Sequence, residues 1–476
     1  MFRHAPAGGH HPGSDADAST DPAPRPGAAL AAASVALLLV NLDFFALNLA
    51  LPPIAVDLGV SPADLPWVIS GYMLALAAFL VPGGRLGDIV GRKRMLIAGL
   101  ALFVGSSTVC GLVDSASLLI AFRILQGTGA AIIFPLCVAV VTNAFPEQGR
   151  KRAIGNLYGL AAVATAIGPF FGGFFAAEVT WRAVFLVNIP LGLAAIALAW
   201  WGLRESRDER APRRIDYAGL VAVAAGIGSI TLGIDGGAEH GFGSAAVLGP
   251  LAAGAALLAA FVAIERRVRF PLVDLSLFRN IPYVTVTMLG AIANVAFVTV
   301  TFSSALYLQQ VRDLSATEAG ALFLPASVAL AVSGPLAGRL AERFDIPRLM
   351  TAGILLGAAS LFVISLWLGY GAYFAALLAF GLGYGLPWSL SSVGTQTVVA
   401  PEKAGAASGV TLAIVIGVGG LFVALTSAVI ESLVAGGTAE GAAIEQIWAM
   451  LAIGSALLAV ALRIAARAAH AHQTKT

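Results

Sequence analysis

Charge is what this sequence has least of. Asp, Glu, Lys and Arg together make up 11% of its 476 residues, against 58% hydrophobic ones, and the mean hydropathy is +0.88. A soluble surface needs far more charge, so the composition excludes soluble domains and describes a chain solvated by lipid. Cysteine is nearly absent as well. Cys110 and Cys137 both fall inside apolar runs, which argues against a disulfide framework. All six histidines lie outside such runs, which excludes a histidine proton relay within the membrane. No GxxxxGKS/T loop is present to cradle a nucleotide phosphate, so energy should come from an ion gradient. No Ser/His/Asp set and no His/acid cluster collects at one depth. That argues against an enzyme, a metal site or another cofactor, and a net charge of +2 is no argument for nucleic acid.

What the chain does have is apolar segments of about 20 residues, the length that crosses a bilayer as a helix. Fourteen are counted, at 29–52, 64–84, 95–113, 117–141, 153–176, 182–202, 217–236, 245–264, 282–310, 317–340, 347–369, 371–397, 404–434 and 442–466. Lys and Arg resist translocation. With the N-terminus inside, alternation of fourteen spans places 25 of the 28 Lys and Arg on the cytoplasmic side; Arg182 and Arg312 fall outside and Arg123 in the membrane. The expectation is a multi-pass protein of the cell membrane with both termini cytoplasmic. Residues 1–28, polar and proline-containing, read as a disordered cytoplasmic tail, and 467–476 as a second one.

One stretch is used twice. Gly84 to Leu96, GRLGDIVGRKRML, is answered 254 residues later by GRLAERFDIPRLM from Gly338 to Met350. At the same offset Gly127 and Gly129 of QGTGA are answered by Gly381 and Gly383 of FGLGY. The chain therefore reads as an all-α membrane protein of two parallel six-helix bundles, 29–203 and 281–466. Residues 204–280 then hold cytoplasmic linkers and a two-helix insertion between the bundles. Parallel repeats of this kind are a secondary-transporter architecture, with substrate near the midplane between the halves.

These residues resemble the major facilitator superfamily, and its fourteen-helix drug:proton antiporter branch in particular. GRLGDIVGRKR is similar to the loop signature after the second helix, RILQGTGAA from Arg123 to the fourth-helix signature, and GPFFGG at Gly168 to Gly173 to the fifth-helix signature of antiporters. LDFFALNLALPPI from Leu42 and WRAVFLVNIPLG from Trp181 resemble motifs of the fourteen-helix branch. Phe44 and Phe45 stand where a small hydroxyl residue commonly follows the first-helix acid, and Ala164 where the fifth-helix pattern often has Gly. The resemblance implies proton-coupled efflux of small amphipathic compounds by alternating access. It also implies a conformational latch at Gly84, Asp88, Gly91 and Arg92, and an antiporter helix at Gly168, Pro169, Gly172 and Gly173. An exporter of an endogenous metabolite or siderophore, or a sensor on the same scaffold, stays open.

Asp43 is the one acid deep in a span. An ionised carboxylate there costs about 2.5–3.5 kcal/mol on insertion scales, so it faces a cavity or a partner. A carboxylic acid can also carry a proton. Arg123 cannot shed its charge and needs an acceptor. Similar depths make the two candidate mates, either as a proton-coupling pair that loosens when Asp43 is protonated, so that proton and substrate compete at one cavity, or as a permanent structural ion pair. Asp88 is expected to accept amides at a helix N-terminus, Arg92 to pair with an acid, and Gly84, Gly87 and Gly91 to permit close approach. Weaker cavity candidates are Asn41, Asn48, Tyr158 and Asn294. The partners expected are a small-molecule substrate, protons and the lipid bilayer, for a chain acting as a monomer.

Overall fold

The computed structural model describes residues 26–60, 66–207, 216–366, 368–400 and 403–473. Most of the N-terminal tail expected at 1–28 lies outside them. The described residues contain fourteen helices long and apolar enough to cross a membrane. They are α1 Pro26–Leu58, α2 Pro66–Val90, α3 Arg92–Cys110, α4 Ala116–Ala144, α5 Glu147–Phe174, α6 Arg182–Gly202 and α7 Tyr217–His240. There follow α8 Ala245–Glu265, α9 Ile281–Leu306, α10 Ala316–Ala341, α11 Ile346–Ser365, α12 Tyr370–Val398, α13 Ala404–Ala435 and α14 Glu440–Gln473. Helix ends use local side-chain caps. Ser315 and Glu318 form a reciprocal capping box on α10, and Asp345 accepts from the Arg348 amide at the start of α11.

The sequence repeat is a repeat of contacts. A Cβ on Gly127 would meet the Tyr72 carbonyl of α2, and one on Gly381 would meet the Ala326 carbonyl of α10. Gly129 lies against the backbone of Gly99 and Phe103, and Gly383 against that of Gly353 and Gly357. Every one of these pairs is related by the same 254-residue step, so glycine is required twice at each place for one reason, backbone against backbone. The two six-helix halves, α1–α6 and α9–α14, thus pack alike. They meet each other through α5 against α10 and α2 against α13. The inserted pair α7–α8 packs on itself and leans on α13 and α2.

Burial follows this plan. Of the most apolar window in each helix, 83% of α9 is buried and only 11% of α8, so α9 is central and the inserted pair peripheral. The first helix runs six residues past the expected end at 52, straight through Pro52 and Pro53. Both prolines stand in the last turns, where each removes one hydrogen bond without stopping the helix. Pro53 has no N–H to give the carbonyl of Leu49, and that carbonyl instead accepts from the Gln309 side-chain amide at 3.1 Å. A lost helix bond has become a link between the halves.

Candidate functional site

Helix α1 presents two different faces to the middle of the molecule. Asp43 points into the N-terminal half and is 1% exposed; Arg123 on α4 is also 1% exposed. The Arg123 guanidinium donates to Oδ2 of Asp43 at 2.6 Å, to Oε1 of Gln126 at 2.7 Å and to the Val68 carbonyl at 3.1 Å. The other carboxylate oxygen, Oδ1, accepts from Gln126 at 2.9 Å and from Asn188 at 2.8 Å. Asn188 donates further to Ser107 Oγ at 2.9 Å, while its own Oδ1 is buried without a partner. Sequence reasoning did not single out Gln126, Asn188 and Ser107. Gln126 stands three residues after Arg123, hence on the same helix face, and Asn188 lies in the WRAVFLVNIPLG motif; those were the available signals.

Between this network and the middle of the protein stands Tyr72. Its ring lies 4.2 Å from the Arg123 guanidinium carbon, a cation–π contact, and its hydroxyl is buried without a partner. Tyr72 also lines a central void of about 70 Å³ between the halves, together with Asn41, Phe44, Phe297, Tyr384 and Trp388. Asn294 completes the polar lining from the second half. Asn48 borders a smaller void beside it with Thr301. Tyr158 is 46% exposed on α5 and is not among the residues that line either void. Asp43 does not line them either. The Asp43–Arg123 pair and the cavity are therefore neighbours, with Tyr72 in contact with both, and Asp43 is not a wall of the cavity as expected.

The α2–α3 turn departs from expectation in its partners. Gly91 has φ 129°, a region that L side chains avoid, and a Cβ there would come within 2.5 Å of the Glu205 carboxylate. That carboxylate, and not Asp88, accepts the amides of Lys93 and Arg94 at the N-terminus of α3, at 3.1 and 3.2 Å. Asp88 instead receives Arg92, at 2.9 Å from Nε, as a pair four residues apart on one side of the molecule. Gly84 has only ordinary contact with Pro135 at 3.4 Å, so close approach belongs to its neighbour Gly83, whose Cβ would lie 2.8 Å from the Ala131 carbonyl. Pro135 frees that carbonyl from its helix bond.

GPFFGG forms two seams at once. Gly168 and Gly172 lie against Phe45 and Ala46 of α1, and Gly173 against Ala316 at the start of α10. Gly320 of α10 returns the contact to Pro169 and Phe170. The first seam lies within the N-terminal half, whereas the α5–α10 seam and the Gln309–Leu49 bond close the halves against each other at the end that carries Trp181. Towards the opposite, arginine-rich end, a Cβ on Gly159 of α5 or Gly338 of α10 would meet none of the described residues within 4 Å.

The sequence profile of the Major Facilitator Superfamily matches residues 33–424. The chain belongs to this superfamily. Among its members, the tetracenomycin C resistance and export protein of Streptomyces glaucescens is 35% identical over 390 residues, 81% of this chain and 72% of that protein. A cephamycin export protein of Amycolatopsis lactamdurans is 37% identical over 391 residues, covering 80% of each chain. Solved structures of other transporters share the fold. A POT family transporter superposes with TM-score 0.65 at 15% identity over 92% of this chain and 98% of its own. A bacterial homologue of the human lysosomal transporter Spinster gives 0.62 at 18% identity over 94% and 96%. The superfamily assignment makes this a multi-pass membrane transporter.

Proposed function

We propose that this superfamily member is a proton-driven exporter of small amphipathic compounds that works by alternating access. It acts as a monomer in the cytoplasmic membrane, with both termini on the cytoplasmic side. The observation that carries the reading is a buried carboxylate, Asp43, that accepts from three side chains and whose partner Arg123 stacks on Tyr72, a residue of the aromatic cavity wall. Protonation of Asp43 removes the charge that holds Arg123. The new O–H then needs an acceptor, and the unpartnered Oδ1 of Asn188 supplies one once its amide turns over. Arg123 and the Tyr72 ring stacked on it shift together, which changes the cavity wall that a substrate touches. Coupling thus runs through a wall and needs no direct competition for one carboxylate.

The cavity chemistry fits amphipathic passengers. Phe44, Phe297 and Trp388 offer ring faces, and Asn41 and Asn294 offer amides. Export as the direction, and drug-like compounds as the class, draw support from relatives named for resistance and export. An endogenous metabolite is the second reading, favoured by the relatives whose printed names specify one exported compound each. The α5 seams serve as the outer gate, and Asp88 with Arg92 as the part of the latch that re-pairs with the second half in the alternate state. The test is transport of a compound panel in proteoliposomes with an imposed pH gradient. Wild type should drive several amphipathic compounds outward. Asp43→Asn should lose gradient-driven flux while retaining substrate exchange without a gradient. Full proton-driven flux in Asp43→Asn would refute the coupling role, and a single accepted compound would favour the second reading.

A further inference from the structure

A second, wider crevice lies apart from the central void. It has a volume of about 1090 Å³ and lies at the side, between the inserted α7–α8 pair and the α2–α13 contact that joins the halves. A small-molecule site holds about 300–1,000 Å³, so this space exceeds the usual range. Val81, Ile227, Leu258 and Val418 are representative of its walls, which are mostly apolar. Two cations stand at one end, Arg266 and Arg279, both exposed. Neither has a hydrogen bond or ion pair to the described residues. The acid of that linker, Asp274, is already engaged by Lys403 at 2.7 Å. Water gains nothing in an apolar cleft at membrane depth, whereas acyl chains are soluble there.

We propose that this crevice binds an anionic diacyl phospholipid of the arginine-rich side of the membrane. Its acyl chains fill the apolar walls and its phosphate meets Arg266 and Arg279. Charge complementarity selects the headgroup, because basic pockets between membrane helices on the cytoplasmic side recognise anionic lipid. A diacyl lipid there touches α2 of one half, α13 of the other and the inserted pair, so it acts as a spacer beside the direct contacts among these three units. The two inserted helices thereby gain a role, walling a lipid site against the moving halves.

The experiment uses the full chain in nanodiscs made from equal parts phosphatidylcholine and phosphatidylglycerol, released into the gas phase for native mass spectrometry. At about one headgroup interaction per arginine, the wild type should retain phosphatidylglycerol over phosphatidylcholine by about 30-fold. Arg266→Ala with Arg279→Ala should abolish the preference, and the paired Lys substitutions should keep most of it. Val418→Trp, which fills the apolar wall and leaves both arginines, should cut retention of either lipid. Equal retention of the two lipids by wild type, or a preference untouched by the alanine pair, would overturn the proposal. Lipid retention is read without transport, so its outcome is separate from that of the exporter reading.

Discussion

Asp43 and Arg123 illustrate how a buried ion pair is made tolerable. Removing two charges from water costs several kcal/mol per ion, and the loss is offset only when every lone pair and N–H finds a partner. Here Gln126, Asn188 and the Val68 carbonyl supply further partners to both charges. Breaking the pair from one side should therefore be severe. Arg123→Ala leaves a buried carboxylate uncompensated and should lower stability by about 3–5 kcal/mol, whereas Asn188→Ala, which removes one neutral donor, should cost about 1–3 kcal/mol. Thermal unfolding in detergent measures both, and equal losses would contradict the hierarchy. The pair itself was legible in the sequence because a charge within an apolar run stands out. Gln126, Asn188 and Tyr72 were not, since a neutral polar or aromatic side chain in a span serves helix packing just as often. Burial against Asp43 and Arg123 is what distinguishes them. The 254-residue step also places Phe297 and Leu377 where Asp43 and Arg123 stand in the first half. The second half has no equivalent charge pair at these positions, so the repeat is not chemically symmetric.

At the level of helices, small residues decide where backbones meet. Gly127→Val and Gly381→Val occupy equivalent places against the carbonyls of Tyr72 and Ala326, and they should destabilise similarly, each by about 1–3 kcal/mol through overpacking. A large effect of one and none of the other would show that the repeat is not mechanical. The linker between the insertion and the second half is held differently. Hydrogen bonds from the Lys403 ammonium, and then from Ser276, hold the Asp274 carboxyl down at about 2 from its ordinary 3.8. A lowered carboxylate contributes stability above its ordinary value and loses it as pH falls from 3.8 through 2. Limited proteolysis of the 266–280 linker should therefore quicken below pH 4 in the wild type. In Asp274→Asn it should be fast at every pH, and an unchanged wild-type rate between pH 6 and pH 3 would show the tether to be idle. Hydropathy revealed how many helices there are, but not their ends. The expected end of the first span is 52, yet α1 continues through Pro52 and Pro53 to Leu58, and the Gln309 amide from the other half takes up the Leu49 carbonyl that Pro53 leaves free.

Among the described residues, two similar bundles enclose a void and are joined by the α5–α10 seam at the Trp181 end. Repeat, loop charge and motifs together made the fold readable from the sequence. The relation between the halves was not readable, because a transporter must hold more than one arrangement and its sequence encodes them all. Orientation and conformation can be tested with one reagent. Cys110 and Cys137 are buried, so a membrane-impermeant maleimide should leave the wild type nearly unlabelled. Arg207→Cys in the α6–α7 linker should label only when the cytoplasmic face is presented, and Gly243→Cys in the α7–α8 turn only from the opposite face. Gly338→Cys, on the α10 surface that faces no neighbour in this state, should label from the cytoplasmic face. Its labelling should slow when substrate and a pH gradient drive the halves into the alternate state, where the α5–α10 seam must part at the Trp181 end and close here. Labelling of Arg207→Cys and Gly243→Cys from the same face would overturn the fourteen-span orientation. A rate at Gly338→Cys that ignores both substrate and gradient would show that α5 and α10 do not form the moving seam.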